Sequence, residues 1–170
     1  MEKLDFSGVL DFNDVDLTDP NIVVQGILSQ IKDATGNIIT GNIEPYSGHI
    51  FPSNNLSLAI GTVDIQKALG KQGEEKNKYE VYLSTPVFDQ YKYRICFIQF
   101  GVAKYPVTVV LEKSIATELK KIMLGSDYIF KCDNRTELEE LMYSVIKSEK
   151  VIEVMQELIK VYQIHRKDIE

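Results

Sequence analysis

Three short segments near the middle of the chain, rich in β-branched, aromatic and other apolar residues, constrain the fold most. They cover residues 79–84, 91–100 and 105–111, and short links that contain Pro86 and Gly101 join them. Links of this length favour antiparallel neighbours, because a parallel pair needs a crossover of about a dozen residues or more. We therefore expect three consecutive strands of an antiparallel sheet.

The first two segments favour one register of a hairpin. If odd-numbered positions face odd-numbered positions, one side carries Tyr79, Val81, Leu83, Tyr93, Ile95 and Phe97, and the other carries Glu80, Tyr82, Ser84, Lys92, Arg94 and Cys96. A slip of one residue would mix these apolar and polar sets. The run 95–100 is apolar apart from Gln99, which is typical of a central strand that is covered on both faces.

Two more strands and several helices complete the expected architecture. Residues 37–44 and 56–63 have the composition of strands. Asp19 is the expected N-cap of a helix over 20–35, and Gly26 within this helix predicts a close approach to the sheet. The predicted fold class is α+β, an antiparallel sheet of about five strands with an N-terminal helix and two to three C-terminal helices packed on it.

The C-terminal third supplies the other helices. We expect a helix over 114–123 capped by Ser114, and a short strand within 127–132. Thr136 and Glu139 have the spacing of a capping box, which begins the next helix. Ser148 begins the last helix, although one long helix with a kink at this residue fits the same pattern.

The negative charge of the chain is concentrated at its start. Residues 1–19 contain six acidic residues and one lysine, whereas acids and bases are nearly balanced over 20–170, and the whole chain carries −6. We interpret residues 1–19 as an acidic N-terminal segment, either an edge strand or an arm, and residues 20–170 as a single α+β domain. A nucleic-acid binder generally has a surplus of bases, so nucleic acid is disfavoured as a partner.

Composition argues against a disordered or membrane-spanning chain. Hydrophobic residues make up 44% and charged residues 26%, which is typical of a globular protein with an apolar core. No apolar run approaches the roughly 18 residues of a membrane helix, and the first residues lack the pattern of a secretory signal. We expect a cytoplasmic protein with no membrane partner, in which Cys96 and Cys132 are free thiols.

The sequence predicts no catalytic residue, metal site or cofactor. Neither His49 nor His165 has a cysteine or a second histidine at zinc spacing. The acidic residues up to Asp19 fail the EF-hand pattern, because Asp19 takes the position of its glycine and Gln25 that of its glutamate.

In the favoured register, Tyr82, Lys92, Arg94 and Glu80 lie together on one face of the hairpin, and we predict them as binding residues. A tyrosine beside an arginine offers a stacking surface and a forked hydrogen-bond donor, which suit a phosphate, a base or a carboxylate. The alternative is a solvent-exposed sheet face with a cross-strand ion pair, either Glu80–Arg94 or Glu80–Lys92.

The last helix, over residues 150–164, has more apolar residues than one core-facing stripe needs. Val151, Met155, Leu158 and Tyr162 form one stripe, and Ile152, Ile159 and Val161 extend beyond its edges. A helix on one core needs a stripe about 100° wide, so the excess predicts a second covering surface, either the preceding helix or a second copy. We predict a two-fold homodimer whose interface contains Ile152, Met155, Ile159 and Tyr162.

Three functions remain open. The favoured hypothesis is a non-catalytic protein–protein interaction module that self-associates, such as an inhibitor, an immunity-type partner or an accessory subunit. The alternative is a small-ligand or nucleotide sensor. The third is an enzyme whose acidic residues are dispersed in the sequence and meet only in the fold.

Overall fold

The computed structural model describes residues 16–48, 50, 77–120 and 128–167, and these residues form an α+β fold. In chain order the elements are α1 (Pro20–Ala34), β1 (Thr40–Pro45), β2 (Asn77–Thr85), β3 (Phe88–Phe100), β4 (Val107–Leu111), α2 (Lys113–Lys120), β5 (Ile129–Cys132), α3 (Arg135–Ile146) and α4 (Glu149–Lys167). The strands form one antiparallel sheet in the order β1-β2-β3-β4-β5, so β3 is central. The predicted fold class, including an N-terminal helix and three C-terminal helices, is confirmed.

Individual strands differ in part from the prediction. β5 lies within the predicted segment 127–132 and completes the sheet, whereas the predicted strand 56–63 lies outside the described residues. β1 begins at Thr40 instead of residue 37. The chain first turns out of α1 at Gly36 and Asn37, which have positive φ values of 60° and 65°.

The close approach between α1 and the sheet is made by Gly41 of β1, not by Gly26. A Cβ atom at Gly41 would lie 3.0 Å from Cβ of Leu28 and 3.0 Å from one of its methyl carbons. Gly26 is exposed, and nothing lies within 4 Å of the place that its Cβ would take. The prediction for Gly26 is therefore wrong, because this residue is on the side of α1 opposite the buried Leu28.

The capping box of α3 lies two residues earlier than predicted. The side chain of Asn134 accepts a hydrogen bond of 3.0 Å from the backbone N–H of Glu137. In return, the carboxylate of Glu137 accepts one of 2.7 Å from the backbone N–H of Asp133. The box is therefore formed by Asn134 and Glu137, and the predicted pair Thr136 and Glu139 lies inside the helix.

The predicted caps of α2 and α4 had different outcomes. At α2 the carboxylate of Glu112 accepts a 2.8 Å hydrogen bond from the backbone N–H of Ser114, so Glu112 caps this helix and the prediction for Ser114 is wrong. α3 and α4 are separate helices, and the backbone N–H of Val151 donates to the Ser148 hydroxyl at 3.4 Å. The predicted start of the last helix at Ser148 is confirmed.

A single apolar core lies between the four helices and one face of the sheet. Its members include Leu28 of α1, Leu83 of β2, Ile98 of β3, Val109 of β4, Phe130 of β5, Ile115 of α2, Met142 of α3 and Leu158 of α4. Each such side chain contributes about 1.5–3 kcal/mol when it is fully buried. All four helices of the described residues lie on this one face of the sheet. Among the described helices, none combines the length and the apolar composition that spanning a bilayer requires.

The β2–β3 hairpin keeps the predicted register over only part of its length, because the pairing shifts between Val81 and Tyr82 and again between Leu83 and Thr85. Ile95 is the extra residue of a β-bulge, and beyond it odd positions face even positions. The bulge allows both Ile95 and Cys96 to be buried and turns Phe97 to the face opposite the helices. The observed pairs are Tyr82–Arg94 and Leu83–Tyr93 near the turn, and Val81–Cys96 and Glu80–Phe97 beyond the bulge. The register predicted beyond the bulge is therefore wrong.

Residues 16–19 precede α1 and lie against the rest of the fold. The Nζ atom of Lys104 lies 3.0 Å from the Asp19 carboxylate and also donates to the carbonyl of Leu17. Arg135 lies 3.8 Å from the carboxylate of Asp16. Asp19 takes the predicted N-cap position, but its side chain makes no capping hydrogen bond. Residues 1–15 of the predicted acidic segment lie outside the described residues.

Candidate functional site

The four predicted binding residues, Glu80, Tyr82, Lys92 and Arg94, lie together on the sheet face opposite the helices, and we call them the hairpin face. Tyr82 and Arg94 are direct cross-strand partners. The Nζ atom of Lys92 lies 4.3 Å from the centroid of the Tyr82 ring, within the range of a cation–π contact. Nε of Arg94 donates a 2.7 Å hydrogen bond to Oε2 of Glu80. The structure therefore brings all four residues into contact.

Each cation of the hairpin face has a carboxylate partner. A second guanidinium nitrogen of Arg94 also lies 2.7 Å from Oε2 of Glu80, so the cross-strand pair of the alternative hypothesis is present. Lys92 pairs with Glu44 of β1, at 3.1 Å, instead of with Glu80. The charges of this surface are therefore balanced within the fold.

Glu44 is a member of this network that the sequence does not predict. Its Oε1 accepts a 2.7 Å hydrogen bond from the hydroxyl of Tyr82. The hydrogen bonds from Tyr82 and then Lys92 lower the pKa of the Glu44 carboxyl below its ordinary value. Burial first, and the hydrogen bond to Glu44 second, raise the pKa of the Tyr82 hydroxyl. Glu44 is the polar last residue of the predicted strand 37–44, which could have marked it as a candidate site residue. Nothing in the sequence, however, indicates that β1 pairs with β2.

Two aromatic rings extend the hairpin face around Arg94. The ring centroids of Tyr46 and Phe97 are 4.6 Å apart. The guanidinium carbon of Arg94 lies 5.8 Å from the first centroid and 5.4 Å from the second. Phe97 reaches this face only because of the bulge at Ile95. Arg94 is therefore held by one carboxylate and two rings, which orients the guanidinium group.

A shallow cleft of about 200 Å³ lies beside Arg94, where β4 ends next to the bulge. Ile50, Phe97 and Val110 give it an apolar lining, and Arg94 and Glu112 add one charge of each sign. Its volume is below the roughly 300–1,000 Å³ of sites that enclose small ligands. The Glu112 carboxylate is also engaged in capping α2. The cleft can therefore accept only a small group.

The two cysteines are buried and free, as predicted. Cys96 pairs with Leu111 and Cys132 with Val107, which are the two ends of β4, so the thiols are far apart. Burial raises the pKa of each thiol to about 12, so both are protonated and unreactive at neutral pH. In the described part of the chain, no group of three or more His, Cys, Asp and Glu side chains is placed to hold a metal ion.

The last helix, α4, approaches the hairpin near both of its ends. Near its C-terminal end, the ring of His165 meets the ring of Phe88 edge-on, with centroids 4.7 Å apart. In its first turns, Lys150 and Glu153 are close enough to interact electrostatically with Tyr93 of β3. α4 therefore runs antiparallel to β3.

The buried stripe of α4 differs from the predicted one by part of a turn. Val151, Val154 and Leu158 are buried, whereas Met155 and Tyr162 are half-buried. The stripe that faces the core therefore includes Val154 and leaves the predicted members Met155 and Tyr162 at its edge.

A row of apolar side chains lies along this edge of α4, and we call it the α4 seam. It consists of the predicted interface residues Ile152, Met155, Ile159 and Tyr162. Ile152 is 45% exposed, and the other three are half-buried. Met155 and Ile159 also pack partly against the core. The structure therefore places the four residues side by side, with one flank on the core and the other toward solvent.

Models of protein families, curated protein sequences and solved structures were compared with the chain, and none matches it. Function is therefore inferred from two surfaces. The hairpin face is balanced by its own carboxylates, whereas the α4 seam presents apolar surface to solvent.

Proposed function

We propose that the chain is a non-catalytic protein–protein interaction module that self-associates through the α4 seam. The observation that carries this proposal is the 45% exposure of Ile152 in a row with three half-buried apolar residues. Contiguous exposed apolar surface is typical of a site of association. An inhibitor, an immunity-type partner or an accessory subunit would all use such a module to bind a further protein.

The neighbouring helices support a second copy as the covering surface. The helix before α4 packs mainly against α1: Tyr143 of α3 accepts a 3.0 Å hydrogen bond from Gln30 of α1, and α3 meets α4 less extensively. α2 meets the start of α4, where the backbone N–H of Glu149 donates to Glu118 at 2.9 Å. With α2 and α3 in these positions, Ile152 remains exposed.

A small-ligand sensor is the second candidate, and the cleft beside Arg94 supports it. A ligand there would have to compete with Glu80 for the guanidinium group, which holds both hydrogen bonds at 2.7 Å. A rise in melting temperature with a nucleotide or metabolite, abolished by Arg94→Ala, would favour this function. The self-association proposal requires no such competition, and we prefer it.

Two exposed isoleucines on opposite sides of α4 provide the test. Ile152 belongs to the seam, whereas Ile164, which is 59% exposed, lies on the other side of the helix. We expect Ile152→Glu to convert a dimer to a monomer, because a buried unpaired carboxylate is costly at an interface. Ile164→Glu should leave the dimer intact. Light scattering with size-exclusion chromatography measures both masses, and dimers for both variants would contradict the seam as the interface.

A further inference from the structure

We propose that two copies of α4 pair in antiparallel orientation, across a two-fold axis that passes near Gln156 and Glu157. The proposal rests on the proposed self-association and adds the geometry of the pair. The seam residues follow one another at intervals of three, four and three positions. This is the spacing of the a and d positions along which two helices pack in a coiled-coil contact.

An antiparallel pair matches the seam residues by size. Ile152 then faces Tyr162 of the second copy, and Met155 faces Ile159 of the second copy. Each layer of the contact combines a β-branched isoleucine with one larger or more flexible side chain, and the two-fold axis repeats both layers. A parallel pair would instead place two tyrosines against each other in one layer and two isoleucines in another, so the layers would differ in width.

The charges of α4 also favour the antiparallel orientation. With the seam at the a and d positions, the charged residues nearest the contact are Glu149 at the start of the helix and Arg166 near its end, whereas Lys150, Glu153, Glu157 and Lys160 point away from it. An antiparallel pair sets Glu149 of each helix level with Arg166 of the other. A parallel pair sets like charges together at each end. Exposed charges contribute little affinity, so they select the orientation while the apolar seam supplies the binding.

The helix dipole also favours the antiparallel orientation, and the residues beside the seam do not oppose it. The N-terminal end of a helix carries a partial positive charge and its C-terminal end a partial negative one. In an antiparallel pair these opposite ends lie side by side. The solvent side of the seam carries the exposed amides of Gln156 and Gln163, which add no like-charge repulsion when two seams meet.

Disulfide crosslinking distinguishes the two orientations. The variants are Ile152→Cys and Tyr162→Cys, each oxidised alone and as an equal mixture at micromolar concentration. In an antiparallel pair, residue 152 of one copy lies beside residue 162 of the other, within the short Cβ separation that a disulfide requires. We expect a covalent dimer on a non-reducing gel when the mixture is oxidised, and no covalent dimer when either single variant is oxidised alone.

Two controls use the same chain. The native thiols of Cys96 and Cys132 are buried, so the unaltered protein should form no covalent dimer. Ile164→Cys places an exposed thiol on the other side of α4 and should also remain uncrosslinked. A covalent dimer of either single seam variant, with no gain in the mixture, would overturn the antiparallel orientation. So would the absence of a crosslink in the mixture. Self-association is judged separately, by the mass of the unaltered chain.

Discussion

At the scale of single residues, Glu80 determines what the hairpin face can do. Its side chain is only 12% exposed, and its carboxylate is paired with Arg94. A buried carboxylate that loses its partner is strongly destabilising, because the charge has left water without compensation. Arg94 therefore has a structural role, which any ligand at this surface would have to displace.

We expect Arg94→Ala to lower the free energy of unfolding by about 1–3 kcal/mol, since it leaves Glu80 unpaired. In a Glu80→Gln background the same change should cost less, because no buried charge remains. Urea unfolding of the four proteins in this double-mutant cycle measures the coupling. Equal costs in both backgrounds would show that the pair contributes nothing to stability.

The Tyr82–Glu44 hydrogen bond predicts a dependence of stability on pH. The pKa of Glu44 is lowered in the folded state, with the Tyr82 hydrogen bond as the first cause. Its contribution is therefore complete above the ordinary value of 4.5 and is lost as the pH falls through the lower pKa of the folded state.

Tyr82→Phe removes this hydrogen bond and provides the measurement. We expect the unaltered protein to be more stable than the variant at about pH 6, and the difference to shrink toward about pH 3. Unfolding in urea at a series of pH values gives the difference directly. Tyr91→Phe, at a tyrosine that is 39% exposed, is the control. A difference for Tyr82→Phe that stays constant with pH would contradict the account.

The hairpin face could be predicted in part because four of its members lie close together in the sequence. Alternation along two adjacent segments was enough to place Tyr82 and Arg94 on the same face, and the structure makes them direct partners. Glu44 could not be assigned, because β1 pairs with β2 across a long intervening stretch. Phe97 was assigned to the wrong face, because alternation gives no sign of a bulge within a run that is apolar on both faces.

At the scale of elements, substitutions at two glycines test how α1 packs on the sheet, since Gly41 lies against α1 and Gly26 faces open space. Gly41→Ala should lower the free energy of unfolding by about 1–3 kcal/mol, because the added carbon crowds Leu28 at 3.0 Å. Gly26→Ala should raise it by about 0.5–1 kcal/mol, because alanine is the better helix former and the site is open. Thermal or urea unfolding of both variants measures the signs. If both substitutions changed the free energy of unfolding in the same direction, the packing of α1 on β1 would be contradicted.

The start of α3 illustrates why helix boundaries are hard to predict. Two capping boxes overlap in the sequence, one formed by Asn134 and Glu137 and one by Thr136 and Glu139. Both have the right spacing. The earlier box is used because β5 ends at Cys132, directly before it. Local motifs therefore predict that a helix begins here, and tertiary context selects the residue.

The same applies to the face that α4 turns to the core. Its apolar residues span more than one stripe, so periodicity predicts an excess of apolar surface but not which part is buried. The contacts of His165 with Phe88 and of Glu153 near Tyr93 orient the helix. They bury Val154 and leave Met155 and Tyr162 at the edge. None of these contacts is local in sequence.

At the scale of the whole molecule, the fold class followed from two periodicities. Alternation over 79–111 predicted three neighbouring antiparallel strands, and these became β2, β3 and β4 in consecutive order. Helical spacing predicted α1 and the C-terminal helices. The positions of β1 and β5 at the two edges of the sheet depend on pairings between distant segments, which no short pattern encodes.

Self-association is the central claim at this scale, and the mass of the unaltered chain in solution tests it most directly. Light scattering over a range of micromolar concentrations should give twice the 19.4 kDa of one chain, with a fall toward the single-chain mass on dilution. The apolar surface of the α4 seam is the reason for this expectation. A mass of 19.4 kDa at every concentration would contradict the account.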